Sequence, residues 1–230
     1  MLDITWLGHG SFQLGLDSGE IIVIDPWMEG PTYPKEHTFE RIDAILVTHG
    51  HFDHLPDAVP LAKKFSPTVV SNFEIAVWLD GKGVENTSGM NKGGTQRVGP
   101  LSVTLTHAFH SSGILDDGQM IYGGEAGGFV IGLPDGRKIY FAGDTDVFSE
   151  MEIIAGLHQP ELAFLPIGDL YTMSPREAAV ACRMLKPKKV IPMHFGTFPP
   201  LTGTPEELAR LIRDLDTEVW PLEIGQTVQW

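Results

Sequence analysis

Four residues of types that commonly bind metal ions lie within the six-residue segment 49–54, which reads His-Gly-His-Phe-Asp-His and directly follows an apolar, strand-like run. In an extended chain, side chains two residues apart leave on the same side, so His49 and His51 can bind the same ion. Asp53 and His54 are adjacent and can face a second ion where the chain bends. One tetrahedral ion does not need four ligands within so short a span, whereas a site for two ions, with about three protein ligands per ion and a bridging water, does.

Three other strand-like runs along the chain also end in His or Asp, and they can supply the remaining ligands. In layered α/β folds, functional residues gather at the carboxyl ends of strands, where the loops converge on one crevice. We therefore expect these strand ends to complete the site begun by the segment 49–54. The first run is followed by His107 and His110, the second by Asp144 and the third by His194.

Together these motifs resemble those of the metallo-β-lactamase-fold hydrolases. Within that superfamily the chain is similar to the small, single-domain branch of metal-dependent hydrolases that includes the ascorbate-phosphate lactonases. The resemblance spans nearly the whole chain and implies one domain over residues 1–230. The stretches that carry it are Trp6-Leu7-Gly8-His9, Asp25-Pro26, the segment 49–54, Asn91–Thr95, His110-Ser111-Ser112, Gly143-Asp144-Thr145 and His194-Phe195-Gly196.

The resemblance implies a centre for two divalent ions with seven protein ligands, one of which is a bridging carboxylate. The ligands it implies are His49, His51 and His110 for the first ion, Asp53, His54 and His194 for the second, and Asp144 as the bridge. Asp53, Asp144 and His194 are also the expected catalytic residues. Zinc is the preferred ion, with manganese, iron and nickel as alternatives, because all of them accept imidazole and carboxylate ligands.

Three further residues are candidates for the surroundings of the centre. His9 lies before a turn, and a pocket position and a surface turn are equally open for it. Asp25 ends an apolar strand and needs a partner if it is buried, so a hydrogen bond to a ligand histidine is favoured over a role in the turn. His107 competes with His110 as a ligand, but the family pattern favours the histidine beside the serine pair, which leaves His107 as a pocket or strand residue.

The order of the predicted elements indicates an α/β fold. Strand-rich blocks alternate with helices, which fits the four-layer αββα sandwich of the resembled family, with two mixed sheets face to face and helices outside. Helices are predicted to begin near Asp57, Ser174 and Thr204, the last two at capping boxes. Residues 81–99 and 111–128 are rich in glycine and polar residues and are predicted to be loops.

Composition excludes several classes of protein. The net charge is −14, with 16 basic against 30 acidic residues, whereas nucleic-acid binders usually carry a basic face. No apolar run approaches the roughly 20 residues that span a bilayer, and the N-terminal residues lack the features of a secretory signal. The single cysteine, Cys182, falls in a helical apolar stripe and is expected in the core of a cytoplasmic protein.

These features predict a hydrolase in which hydroxide generated between two ions attacks an ester, lactone or related bond of a small molecule. Neither a Gly-x-Ser-x-Gly motif nor a Walker A motif is present. Two alternatives stay open. A metal-dependent phosphodiesterase or ribonuclease is disfavoured by the acidic charge, and a metal-binding protein with little catalysis is disfavoured by the complete ligand set. The sequence leaves the physiological substrate and the oligomeric state open.

Overall fold

The computed structural model describes all 230 residues, which form sixteen strands and five helices, numbered here in chain order. Two seven-stranded mixed sheets and one two-stranded hairpin contain all the strands. This confirms the predicted mixed α/β class. The chain separates into two compact units: the first comprises Met1–Asn91, Ser111–Ala126 and Glu223–Trp230, and the second comprises Lys92–His110 and Gly127–Leu222. The single-domain organisation over 1–230 stays a prediction.

The first unit contains one of the large sheets. Its strands are, in spatial order, β16 (Thr227–Gln229), β1 (Leu2–Trp6), β2 (Phe12–Leu16), β3 (Ile21–Ile24), β4 (Ala44–Leu46), β5 (Thr68–Asn72) and β6 (Thr87–Met90). Pairing is antiparallel from β16 to β3 and parallel from β3 to β6. Strands β3, β4 and β5 are almost entirely buried, which explains their short apolar runs, Ile-Ile-Val-Ile, Ala-Ile-Leu and Val-Val.

Two helices follow strands of this sheet. Helix α1 (Ala58–Phe65) tolerates Pro60 because the residue lies in the first turn, where no intrahelical N–H is needed. Helix α2 (Phe73–Gly81) begins after Asn72, whose side chain accepts a hydrogen bond from the Ile75 N–H at 2.8 Å. The apolar faces of both helices join the strand residues in one core cluster.

The second unit contains the other large sheet and three helices. Its strands are, in spatial order, β15 (Glu218–Val219), β14 (Lys189–Met193), β13 (Leu162–Pro166), β12 (Lys138–Phe141), β11 (Gly127–Gly132), β8 (Leu101–His107) and β7 (Thr95–Val98). The strands from β12 to β15 are parallel, and the others pair antiparallel. The helices are α3 (Met151–His158), α4 (Pro175–Leu185) and α5 (Pro205–Leu211).

Two predicted helix starts are confirmed in this unit. Helix α4 begins with a complete capping box between Ser174 and Glu177, and α5 begins after Thr204, whose hydroxyl accepts the Glu207 N–H. The predicted core position of Cys182 is also confirmed, since the residue is fully buried. Burial raises the pKa of the Cys182 thiol to about 12, so the side chain is a neutral core group at physiological pH.

The two predicted loops were wrong, because both contain strands. Residues 81–99 contain β6 and β7, which lie at the edges of their sheets. Only one of their eight residues, Val98, is buried, so they lack the apolar alternation that marks a strand. Residues 111–128 contain the hairpin of β9 (Gly113–Asp116) and β10 (Gln119–Tyr122). Its turn residues, Asp117 and Gly118, both have positive φ, and Asp-Gly is a hairpin signal that the sequence did contain.

None of the five helices is both long enough and apolar enough to cross a membrane.

Candidate metal centre

The segment 49–54 begins three residues after β4 and brings its first two histidines close together. The Nε2 atom of His49 lies 3.0 Å from the Nδ1 atom of His51. Two nitrogens bound to one tetrahedral zinc ion at about 2.0–2.1 Å are roughly 3.3 Å apart. These two atoms are therefore spaced as two ligands of one ion would be. The other ring nitrogen of His51 lies 3.2 Å from the hydroxyl of Ser111, which steadies the half-buried ring.

The second half of the segment faces a different set of buried groups. His54 is completely buried, and its Nδ1 lies 2.9 Å from Oδ2 of Asp25. Asp53 is also buried, and its Oδ2 lies 3.1 Å from Nε2 of His9. Ligand atoms of His9, Asp53 and His54 all lie within 4.8 Å of one another. The first unit thus gathers imidazole nitrogens and carboxylate oxygens at the density that a divalent ion requires.

Asp25 is the buried partner of this histidine cluster. It directly follows β3, has no exposed surface and accepts hydrogen bonds from the backbone N–H of Thr48 at 2.8 Å and from the Thr48 hydroxyl at 2.6 Å. Burial raises the pKa of Asp25, while the charge and hydrogen bonds of His54 and the hydrogen bonds of Thr48 act in the opposite direction. A buried carboxylate needs such donors, so the expected hydrogen bond to a candidate ligand histidine is present.

His9 is a buried residue, so the surface-turn alternative is wrong. Only 1 % of the residue is exposed, and its ring packs edge-on against Trp27 with the centroids 5.2 Å apart. The Trp6 indole N–H donates to the His9 carbonyl at 3.0 Å and fixes the backbone there. The neighbouring Gly10 is required for space, since a Cβ atom at that position would lie 2.8 Å from Cε1 of His54.

The second unit gathers two candidate histidine ligands around one carboxylate. Asp144 follows β12, His194 follows β14 and His110 lies three residues beyond β8. The Oδ2 atom of Asp144 is 2.9 Å from Nε2 of His194 and 3.7 Å from Nε2 of His110. Asp144 and His194 are both buried. One carboxylate oxygen therefore lies next to two imidazole nitrogens, and all three groups are of types that bind divalent ions.

His107 has different surroundings from His110, although both belong to the end of β8. Its Nδ1 lies 3.0 Å from the Lys92 ammonium nitrogen, and its ring packs edge-on against Phe109 and Phe148 at centroid distances of 5.0 and 5.2 Å. An ammonium group can only donate a hydrogen bond, so Nδ1 acts as the acceptor. The His107 ring is therefore held by two aromatic contacts and by a hydrogen bond from the Lys92 ammonium group.

Three of the candidate residues have left-handed backbones. Nine non-glycine residues have positive φ, and helix ends account for Ser66, Gln159 and Lys186 while the hairpin turn accounts for Asp117. Among the others are His9, Asp25 and His194, with φ of 51°, 46° and 56°. Such conformations cost roughly 1–3 kcal/mol each and persist where the surrounding structure imposes them. Their presence at three candidate positions indicates that side-chain placement here is maintained against backbone preference.

Sequence reasoning missed Thr48. This residue is completely buried, contacts Asp25 through both its N–H and its hydroxyl, and places that hydroxyl 2.9 Å from Nδ1 of His49. The only signal in the sequence was a hydroxyl residue directly before the histidine motif, and that signal has no specificity without the hydrogen-bond geometry.

Comparisons with known proteins identify the family of this chain. The family described as Beta-lactamase superfamily domain matches residues 20–195. A UPF0173 metal-dependent hydrolase of Solibacter usitatus (strain Ellin6076) is 64% identical over 230 residues, covering 100% of both chains. One of Koribacter versatilis (strain Ellin345) is 52% identical over 228 residues, covering 98% of this chain and 97% of the relative.

Among solved structures, the chain is similar to Igni18, which is described as a novel metallo hydrolase from the hyperthermophilic archaeon Ignicoccus hospitalis. The TM-score is 0.87 at 35% sequence identity, with 99% of this chain and 97% of that chain covered. The matched family, the relatives and this structure agree with the resemblance drawn from the motifs. The chain belongs to the β-lactamase superfamily and, within it, to the UPF0173 family of metal-dependent hydrolases.

Proposed function

We propose that the protein uses two divalent metal ions, preferably zinc, to hydrolyse an ester, lactone or related bond in a small molecule. The observation that carries the proposal is the pair of ligand-rich strand ends. In the first unit His49 and His51 approach within 3.0 Å, and in the second unit Asp144 lies 2.9 Å from His194. Membership of a family of metal-dependent hydrolases supports the same reading.

The donor set fits a divalent ion. Imidazole nitrogen and carboxylate oxygen are the preferred ligands of zinc, and they also suit manganese, iron and nickel. Asp25 already contacts Nδ1 of His54, so the atom that His54 offers to an ion is Nε2. The ions are assigned to the ligands that the family resemblance implies: His49, His51, Asp53 and His54 of the first unit, and His110, Asp144 and His194 of the second.

The ions, when bound, activate water as the nucleophile and stabilise negative charge on the group under attack. The protein contributes the placement of the ligands. Asp25 orients His54, and His9 contacts Asp53. We assign Asp53, Asp144 and His194 to catalysis because they would hold the second ion and link it to the first, where water would be activated.

Small molecules, not nucleic acids, are the proposed substrates, and the cytoplasm is the proposed location. The net charge of −14 argues against a nucleic-acid substrate, because proteins that bind nucleic acids usually have a basic surface that displaces counterions from the phosphates. Bound divalent ions offset only part of this charge. No membrane partner is included in the proposal.

The fully loaded protein should contain two divalent ions per chain. Seven candidate ligands exceed the roughly four positions of one tetrahedral ion, so a single ion would leave several of them outside its coordination shell. Elemental analysis after reconstitution with Zn²⁺, and separately with Mn²⁺, measures the ratio. A ratio that never exceeds one ion per chain would contradict the dinuclear assignment.

Turnover should be found on small esters or lactones and should be absent on RNA. The metal-loaded protein would be assayed against a panel of lactones, carboxylic esters, thioesters and phosphodiesters, with single-stranded RNA included. The control is the same protein stripped by a chelator and then reloaded, which should lose and regain activity. Salt-sensitive RNA binding with cleavage at low enzyme concentration would establish the ribonuclease alternative, and inactivity on the whole panel would favour a binding protein with little catalysis.

A further inference from the structure

Helix α3 exposes apolar side chains on the surface of the second unit. Ile153 and Leu157 are 58 % and 71 % exposed, and they lie on the same face of the helix because they are four residues apart. On the neighbouring helix α4, Val180 is also exposed, and Met184, one turn further along, is half-buried. Exposed apolar side chains that cluster on adjacent elements are typical of a protein–protein contact.

A groove of about 730 Å³ lies between the C-terminal halves of these two helices. Ala155 and Gly156 line it on the α3 side, and Met184 lines it on the α4 side. A Cβ atom at Gly156 would have no other atom within 4 Å, so open space lies directly outside the helix backbone there. A second helix can therefore approach α3 closely at this glycine.

The charges around the groove are balanced, although the whole chain has a net charge of −14. Two acidic side chains, Glu152 and Glu161, and two basic ones, Lys186 and Lys188, line it. Glu161 and Lys188 pair with each other, whereas Glu152 and Lys186 are exposed and take part in no ion pair of the chain. Two copies of a strongly acidic chain repel each other over most of their surfaces, so this balanced region is where they can meet.

The direction of the helices decides how two copies fit together. Strands β12, β13 and β14 are parallel, so the helices that connect them run in the same direction and their C-terminal ends lie side by side. Glu152 lies in the first turn of α3, whereas Lys186 follows the last residue of α4. The unpaired acid and the unpaired base therefore lie towards opposite ends of the groove.

We propose that the protein forms a symmetric dimer through this face, with the two α3 helices antiparallel and crossing at Gly156. A two-fold axis that reverses α3 brings Glu152 of each copy next to Lys186 of the other. It also places Ile153 of one copy beside Leu157 of the other, so that the exposed apolar side chains become buried. The dimer goes beyond the proposed hydrolase function and does not depend on it.

Sedimentation of the purified chain over a range of concentrations tests the interface. The wild-type protein should be a dimer, and Leu157→Gln and Gly156→Gln should each raise the dimer dissociation constant roughly 100-fold, because each change acts twice in a symmetric interface. Gly156→Gln should fold normally, since its Cβ meets no other atom and glutamine favours a helix more than glycine does. The matched control is Val77→Gln, a change of an exposed apolar residue on helix α2 of the first unit, which should leave the dissociation constant within a few-fold of wild type.

A charge exchange tests the antiparallel arrangement. Glu152→Lys and Lys186→Glu each place like charges opposite one another and should weaken the dimer roughly 10-fold at low ionic strength. The double variant restores an attractive pair in reversed order, so its dissociation constant should return to within a few-fold of wild type. A double variant that dimerises no more tightly than the single variants would overturn this arrangement.

A wild-type chain that stays monomeric up to its solubility limit would overturn the dimer itself. A dimer that both Leu157→Gln and Gly156→Gln leave intact would show that another surface is used, and would equally contradict the proposal. Melting curves of every variant identify any that fail to fold, and if Lys186→Glu is one of them, Gly156→Gln and Glu152→Lys still decide. Neither metal nor substrate enters these measurements, so their outcome is separate from that of the hydrolase assays.

Discussion

Replacement of Asp144 by alanine is expected to leave a folded chain that has lost one or both ions and most of its hydrolytic rate. The carboxylate is buried, and its Oδ2 lies 2.9 Å from His194 and 3.7 Å from His110. Its removal takes away the group that both histidines share. The rate should fall roughly 100-fold or more, which corresponds to about 2.7 kcal/mol of activation free energy.

The matched control is Asp146→Ala, two residues along the same loop. Asp146 is exposed, and its carboxylate accepts a hydrogen bond from the adjacent Val147 N–H at 2.7 Å. This variant should keep its metal and its rate. Asp144→Asn provides a second test, because it preserves the shape of the side chain and removes only its charge.

Metal content, turnover and melting temperature should be measured on the same preparation of each variant. If Asp144 acted only as a residue of the turn after β12, its loss would cost about 1 kcal/mol of stability and spare the chemistry. An Asp144→Ala protein with full metal, near-normal turnover and only a lower melting temperature would refute the bridging role.

Replacement of His110 by alanine should lower the metal content and the rate, whereas His107→Ala should leave the metal stoichiometry near wild type. The two histidines belong to the same strand end but have different neighbours. His110 approaches Asp144, while His107 packs against Phe109 and Phe148. Loss of one of the proposed ligands of the first ion should reduce loading toward one ion per chain and slow turnover by roughly 100-fold.

The pair of variants serves as its own control, since both remove a half-buried imidazole from the same segment. Elemental analysis and turnover at saturating Zn²⁺ give the readout. If His107→Ala lost metal and His110→Ala did not, the assignment of the strand end would be reversed, and the resemblance on which it rests would not extend to this loop.

The parts of the site that could be predicted are those encoded locally. The segment 49–54 carries its ligand types and its spacing within one short stretch, and Asp25 was identifiable as a carboxylate that ends an apolar strand. The burial of His9 could not be predicted, because it depends on packing against Trp27 and on contact with Asp53, both distant in sequence. Thr48 was missed because the sequence does not show which groups its hydroxyl contacts. Those contacts depend on where the fold places Asp25 and His49.

The fold was predictable to the same extent. Strands buried on both faces and helices with capping boxes were found from their sequences. Helices α2 and α3 were not predicted, since each has exposed apolar residues, such as Val77 and Ile153, beside its buried ones and so shows no clean apolar stripe. Strands β6 and β7 pair with one neighbouring strand each, at the edges of their sheets. Backbone pairing of this kind leaves no strong pattern of apolar residues in the sequence.

The pairing of β1 with β16 has a consequence for how the chain folds. Asp3 lies opposite Gln229, 226 residues away, and the sheet that they complete also contains β4, which leads into the segment 49–54. The entropic contribution to the free energy of closing a loop rises by only about 0.6 kcal/mol for each doubling of the loop length. The large separation therefore adds little to the free energy that folding must overcome at equilibrium. Its effect is kinetic, because a pairing that spans the whole second unit cannot nucleate locally. The outer edge of this sheet therefore belongs to the slow part of folding, whereas the contacts of β3, β4 and β5 are short-range in sequence.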